Sequence, residues 1–133
     1  MSGYGDDIKF EELKGATIAA IEKTDEEVTM ALADGRIVTL YHSQSCCENV
    51  WLEDVVGELG DLVGTPLLLA EESGSTDRPD DLKAEEYSPE SETWTFYRMG
   101  TINGTVVLRW CGQSNGYYSE EVDIRVTQPE EAR

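Results

Sequence analysis

The chain has 133 residues, with 28 Asp and Glu against 10 Lys and Arg, for a net charge of −18. That length suits one domain with its own core, and that charge repels phosphate backbones and anionic lipid, which argues against direct binding to nucleic acid or membrane and leaves solubility or docking onto a basic protein surface. No apolar run approaches the roughly 18 residues of a membrane helix, residues 1–7 have neither the basic region nor the apolar core of a signal peptide, and three cysteines, which cannot all pair within one chain, point to reduced thiols in a cytosol.

Residues 6–13 place Asp6 and Asp7 ahead of Phe10 and Leu13, which predicts one or two helical turns ended by Gly15. Residues 16–21 read as a first strand, with Thr17, Ile18 and Ile21 at β-branched positions. Val28, Met30 and Leu32 then alternate onto one face, Asp34-Gly35 follows, and residues 36–42 resume the strand pattern. An Asp-Gly joint between two such runs predicts a hairpin with positive φ at both turn residues. Residues 49–56 fit either a strand or a helix by spacing, and Val50, Trp51, Val55 and Val56 favour the strand. Gly57, Gly60 and Gly64 allow only a turn, after which residues 65–70 read as a buried strand with Pro66 confined to its start.

The character changes at residues 71–92, where nine acids face only Arg78 and Lys83, with Pro79 and Pro89 as breakers. This predicts an acidic mobile loop over 73–90, with a short helix near 80–86. Residues 93–119 contain no acid and two arginines, Arg98 and Arg109. Within them, Asn103-Gly104 joins two strand patterns as a second hairpin, with Val106, Leu108 and Trp110 on one face. Residues 112–116 predict a third turn leading into a strand over 117–126, and 127–133 a frayed tail. The sum is a single mainly β domain over 1–133, an antiparallel sheet of seven or eight short strands with little helix, curled into a half-barrel or a small sandwich.

The blocks Tyr41-His42, Cys46-Cys47-Glu48-Asn49-Val50 and Glu53-Asp54, with Gly57, Gly64, Pro66 and Ala70-Glu71-Glu72 after them, resemble a family of small acidic proteins encoded by bacteriophages and prophages. Residues 93–97 and the Ser114-Asn115-Gly116-Tyr117-Tyr118-Ser119 block are similar to that family as well, so the resemblance spans roughly residues 12–124. It implies a setting, a phage accessory gene expressed in a host bacterial cytoplasm. It carries over no catalytic residue.

Three constellations invite chemistry. His42, Cys46 and Cys47, with Glu48 or Cys111 as a fourth ligand, have soft-metal residue types, but His-x3-Cys-Cys is not the usual zinc spacing, and adjacent strand cysteines point to opposite faces. A cysteine nucleophile with His42 as base would sit among five acids and no cation over residues 42–61, which pushes a thiol pKa the wrong way. Glu53 and Asp54 could form a carboxylate pair, except that neighbours on a regular strand diverge. No phosphate-cradling loop, helix-turn-helix, zinc knuckle or basic stripe is present.

The remaining candidate is aromatic. Trp94, Phe96, Tyr97, Arg98, Arg109, Trp110, Tyr117 and Tyr118 have the composition of an interface hot spot or a base-stacking platform, and the plainer alternative is that Trp94, Phe96 and Trp110 are core. The reading that fits charge and composition together is a non-enzymatic, cofactor-free binding protein that engages and occludes a host bacterial protein with a basic surface. Asp80, Asp81, Glu85 and Glu86 would supply charge, Tyr117 and Tyr118 an apolar anchor, and homo-oligomerisation is compatible with it. A small-nucleotide sponge, a virion structural or decoration protein and a metal-binding protein are the alternatives.

Overall fold

A computed structural model describes residues 9–43, 47–76, 91–116 and 119–128. Two 3₁₀ turns, Phe10–Leu13 and Leu59–Leu62, accompany eight strands: β1 (Ile18–Lys23), β2 (Val28–Leu32), β3 (Ile37–Tyr41), β4 (Asn49–Val56), β5 (Leu69–Ser75), β6 (Ser91–Thr101), β7 (Gly104–Ser114) and β8 (Asp123–Thr127). They form two four-stranded antiparallel sheets, ordered β1-β2-β3-β8 and β4-β7-β6-β5. Each sheet keeps two edges, so neither closes into a barrel.

The alternation visible in the sequence determines the faces. Val28, Met30, Val38, Leu40 and Val126 of the first sheet meet Tyr97, Met99, Val106, Leu108 and Trp110 of the second in one buried cluster. Phe10, Leu13, Leu62 and Leu67 close its ends. Each fully buried side chain of this size contributes about 1.5–3 kcal/mol of transfer free energy.

Both predicted hairpins form, with different turn chemistry. Gly35 is in the left-handed region (φ 97°) and Asp34 is not. The Gly35 N–H donates to the Leu32 carbonyl and the Leu32 N–H to the Arg36 carbonyl, a type I turn followed by a glycine bulge. The second hairpin turns one residue earlier than expected, on Ile102-Asn103, because Thr101 pairs directly with Gly104.

Three other expectations shift. The strand expected over 65–70 starts at Leu69 and continues to Ser75, since pairing begins only where the chain reaches the β6 edge, Leu69 opposite Gly100. Residues 73–75 are therefore strand rather than loop, and residues 77–90 lie outside the described residues, as do 129–133 of the tail. The turn expected over 112–116 and the strand over 117–126 shift to a later strand, Asp123–Thr127. β7 continues through Gly112 to Ser114, and the chain then leaves the second sheet so that β8 pairs with β3 of the first.

Candidate functional site

The topology requires two passages between the sheets, from β3 to β4 and from β7 to β8, and the two passages meet. His42, just past β3, directs Nε2 at the Glu48 carboxylate (2.8 Å) and Nδ1 at the Glu121 carbonyl (2.7 Å). A carbonyl can only accept, so the contact at Nδ1 is an N–H donation, and the Glu48 carboxylate faces the other ring nitrogen. Both side chains are buried, at 4% and 0% exposure. Nearby, the Ser43 N–H donates to Asp123 Oδ2 (2.9 Å).

The second passage is itself fastened to the sheet it leaves. The buried Glu120 carboxylate accepts from the Thr93 hydroxyl (2.7 Å) and from the Ser114 hydroxyl. Its backbone lies directly over Gly112, where a Cβ would stand 2.6 Å from the Glu120 carbonyl oxygen. Glycine at 112 is what lets the passage lie flat on β7.

These contacts place the sequence candidates. Both nitrogens of His42 are taken by the crossing. Cys47 is disulfide-bonded, which corrects the expectation of reduced thiols at that position; Cys46 lies outside the described residues. Cys111 is buried, and its thiol donates towards Glu92 Oε2 at 3.9 Å. Among the described residues no three His, Cys, Asp or Glu side chains are grouped to hold a metal ion. Asp80, Asp81, Glu85, Glu86, Tyr117 and Tyr118 lie outside the described residues.

Glu53 and Asp54 do not diverge. A β-bulge between Leu52 and Asp54 brings both towards Arg109, at 2.6 Å from Nε and 3.7 Å from Nη2 respectively. Arg109 also lies over the Trp94 ring, 5.6 Å from its centroid. Trp94 donates from its indole to Glu92 (3.1 Å), which also accepts from Gln113 (2.8 Å). Trp94, Tyr97 and Trp110 are all buried, and Arg98 pairs with Glu71 at 3.6 Å. Trp94 and Trp110 thus fit the plainer reading, whereas Phe96, the third residue of that reading, is only half-buried.

Sequence reasoning passed over one polar concavity. A cavity of about 570 Å³ lies among the first 3₁₀ turn, β5, β6 and the β7–β8 passage, lined chiefly by Lys9, Glu11, Glu72, Thr93, Thr95 and Glu121. Tyr97 stands next to Thr95 on the inward face of β6, directly opposite Glu72 in register. Its ring packs on Phe10 at 4.7 Å, and its buried hydroxyl has no hydrogen-bond partner among the described residues. Burial first, and then the charges of Glu72, Asp123, Glu11 and Glu121, push that hydroxyl far above its ordinary pKa. Burial, then Glu11 and Glu121, likewise raise the Glu72 carboxyl. The signal available beforehand was Glu72 itself, an acid at an inward position of a strand.

A family model described as a domain of unknown function (DUF7448) matches residues 11–124. The chain belongs to that DUF7448 family. No curated protein and no solved structure matches it significantly. The DUF7448 match takes in both passages between the sheets and all the cavity-lining residues named above except Lys9.

Proposed function

We propose that this DUF7448 protein is a phage-encoded accessory binding protein that docks on a basic surface of a host bacterial protein, in the host cytoplasm, and occludes it. The observation that supports this most is the net charge of −18. Among the described residues only Glu48 and Glu120 are buried acids, Glu53 and Glu92 are engaged by neighbouring side chains, and most of the others are exposed. A surface of that charge speeds encounter with a basic partner and rejects acidic ones. Residues 71–92 hold nine acids and supply the densest segment, and Tyr117 and Tyr118 supply the apolar anchor of the contact.

Capture from bacterial lysate, with bound proteins identified by mass spectrometry, tests this reading. The expected result is a small set of proteins with basic surfaces, released as salt rises and the Debye length falls below about 5 Å. Partners that are acidic, or that stay bound at high salt, contradict it.

A further inference from the structure

We propose that the free edge of β8 pairs with β8 of a second copy of this chain, antiparallel about Ile124, so that the first sheets of two molecules join into one. The four sheet edges are not alike. β1 carries a bulge between Ile18 and Ala20, and Thr17 and Ile18 at its start bridge to Pro66 and Val63. β4 also carries a bulge, and its Leu52 N–H donates to the Asp25 carbonyl (2.6 Å). On β5 the Glu72 N–H donates to the Glu11 carboxylate (3.1 Å). Such devices keep an edge from recruiting another strand. β8 has none among the described residues. It runs without a bulge, all five residues in register with β3, and no described segment pairs with its other side.

The direction of the backbone groups follows from the β2–β3 hairpin. The Leu32 N–H donates to the Arg36 carbonyl, so the bonded pairs further along are Met30 with Val38 and Val28 with Leu40. Ile37, Thr39 and Tyr41 therefore bond to β8 through Thr127, Arg125 and Asp123, which leaves the N–H and C=O of Ile124 and Val126 pointing out of the free edge. Charge selects a second copy as the occupant and fixes the register. Asp123 accepts from the Ser43 N–H, and Arg125 donates to the Tyr41 hydroxyl and lies 4.8 Å over that ring, so both have neutral partners. Neither has an ion-pair partner among the described residues. Pairing about Ile124 sets Asp123 of each copy opposite Arg125 of the other, a self-complementary two-fold contact, whereas pairing about Arg125 sets like charges together. On the inward face half-buried Ile124 meets its own copy, and Val126 meets Val122. The net charge of −18 opposes association. At physiological salt, however, charges act over only about 8 Å, and the outward residues of the adjoining strand, Ile37, Thr39 and Tyr41, are uncharged. Residues 77–90, Tyr117 and Tyr118 take no part, so the outcome is separate from that of the docking reading.

The test is sedimentation velocity of the full chain over a concentration series at physiological salt, with amide hydrogen exchange followed on the same samples. The expected result is a monomer–dimer equilibrium in which the Ile124 and Val126 amides exchange more slowly as the dimer forms. The Arg125 amide, bonded to β3 in both states, should not respond. Asp123→Lys and Arg125→Glu each set like charges opposite one another and should weaken dimerisation about tenfold. Mixed in equal amounts, the two variants restore opposite-sign pairs, and a heterodimer close to the original affinity is expected. Glu22→Lys makes the same change of charge on β1, at the far side of the sheet, and should not weaken dimerisation. A monomer at every concentration, or exchange at Ile124 and Val126 that ignores concentration, overturns the proposal. So do folded variants that the mixture does not rescue, and weakening by Glu22→Lys equal to that by Asp123→Lys. The exchange measurement needs no variant, so it decides the question even if a substitution prevents folding.

Discussion

The most exacting single residues lie where the two passages meet. Replacing His42 with Ala takes the imidazole from a carboxylate that has no exposed side-chain surface, and breaking a buried pair of this kind costs about 3–5 kcal/mol. Urea denaturation should show that loss as a lower midpoint with unchanged slope. Gly112→Ala introduces a methyl group 2.6 Å from the Glu120 carbonyl oxygen and should cost about 1–3 kcal/mol by overpacking. Glu72 gives the opposite sign. Its carboxyl is held above the ordinary range by burial, Glu11 and Glu121, with Lys9, Asp123 and the Tyr97 hydroxyl also nearby. The unfolded chain therefore ionises Glu72 first; the associated stability is full at acid pH and declines as pH rises through the folded-state value. Glu72→Gln should raise Tm by about 2 °C at neutral pH, after allowance for solvent screening, and leave it unchanged near about pH 3.

At the scale of elements, β8 closes the first sheet although the strand before it, β7, belongs to the second. Val126 is buried, and all five β8 residues are in register with β3. A chain ended after Glu121 uncovers the β3 edge and removes an apolar contribution from the core, so it should lose its cooperative thermal transition in circular dichroism and aggregate. This is also where the sequence was least legible. The alternation of Val28, Met30 and Leu32 and of Val106, Leu108 and Trp110 showed the inward faces, and the Asp-Gly and Asn-Gly joints showed both hairpins. Period-two patterning is local, however, and cannot show which edge a strand pairs with. The stretch after Gly116 therefore read only as a turn into a strand, with nothing to show that β8 crosses to pair with β3. The bulge that turns Glu53 and Asp54 towards Arg109 leaves no mark in residue types either. The cavity was hidden for the same reason, since Glu11, Glu72 and Glu121 come from three segments far apart in the chain and meet only once both sheets are assembled.

For the whole molecule, charge and shape separate into two roles. The sandwich core and the His42–Glu48–Glu121 contact hold the sheets together, while most acids remain free to set the surface potential. The central claim is that this potential docks the protein on a basic partner, with the acid-rich segment between β5 and β6 as its densest part. A deletion used to test that must begin after Ser75, because Ser73, Gly74 and Ser75 pair with Phe96, Thr95 and Trp94. Replacing residues 77–90 with a short Gly-Ser linker leaves both strands intact and removes six acids against two cations. The decisive measurement is the salt dependence of affinity for the captured partner, intact chain against linker variant. The account predicts weaker binding and a shallower salt slope for the variant; equal affinity and equal slope for the two chains would contradict it.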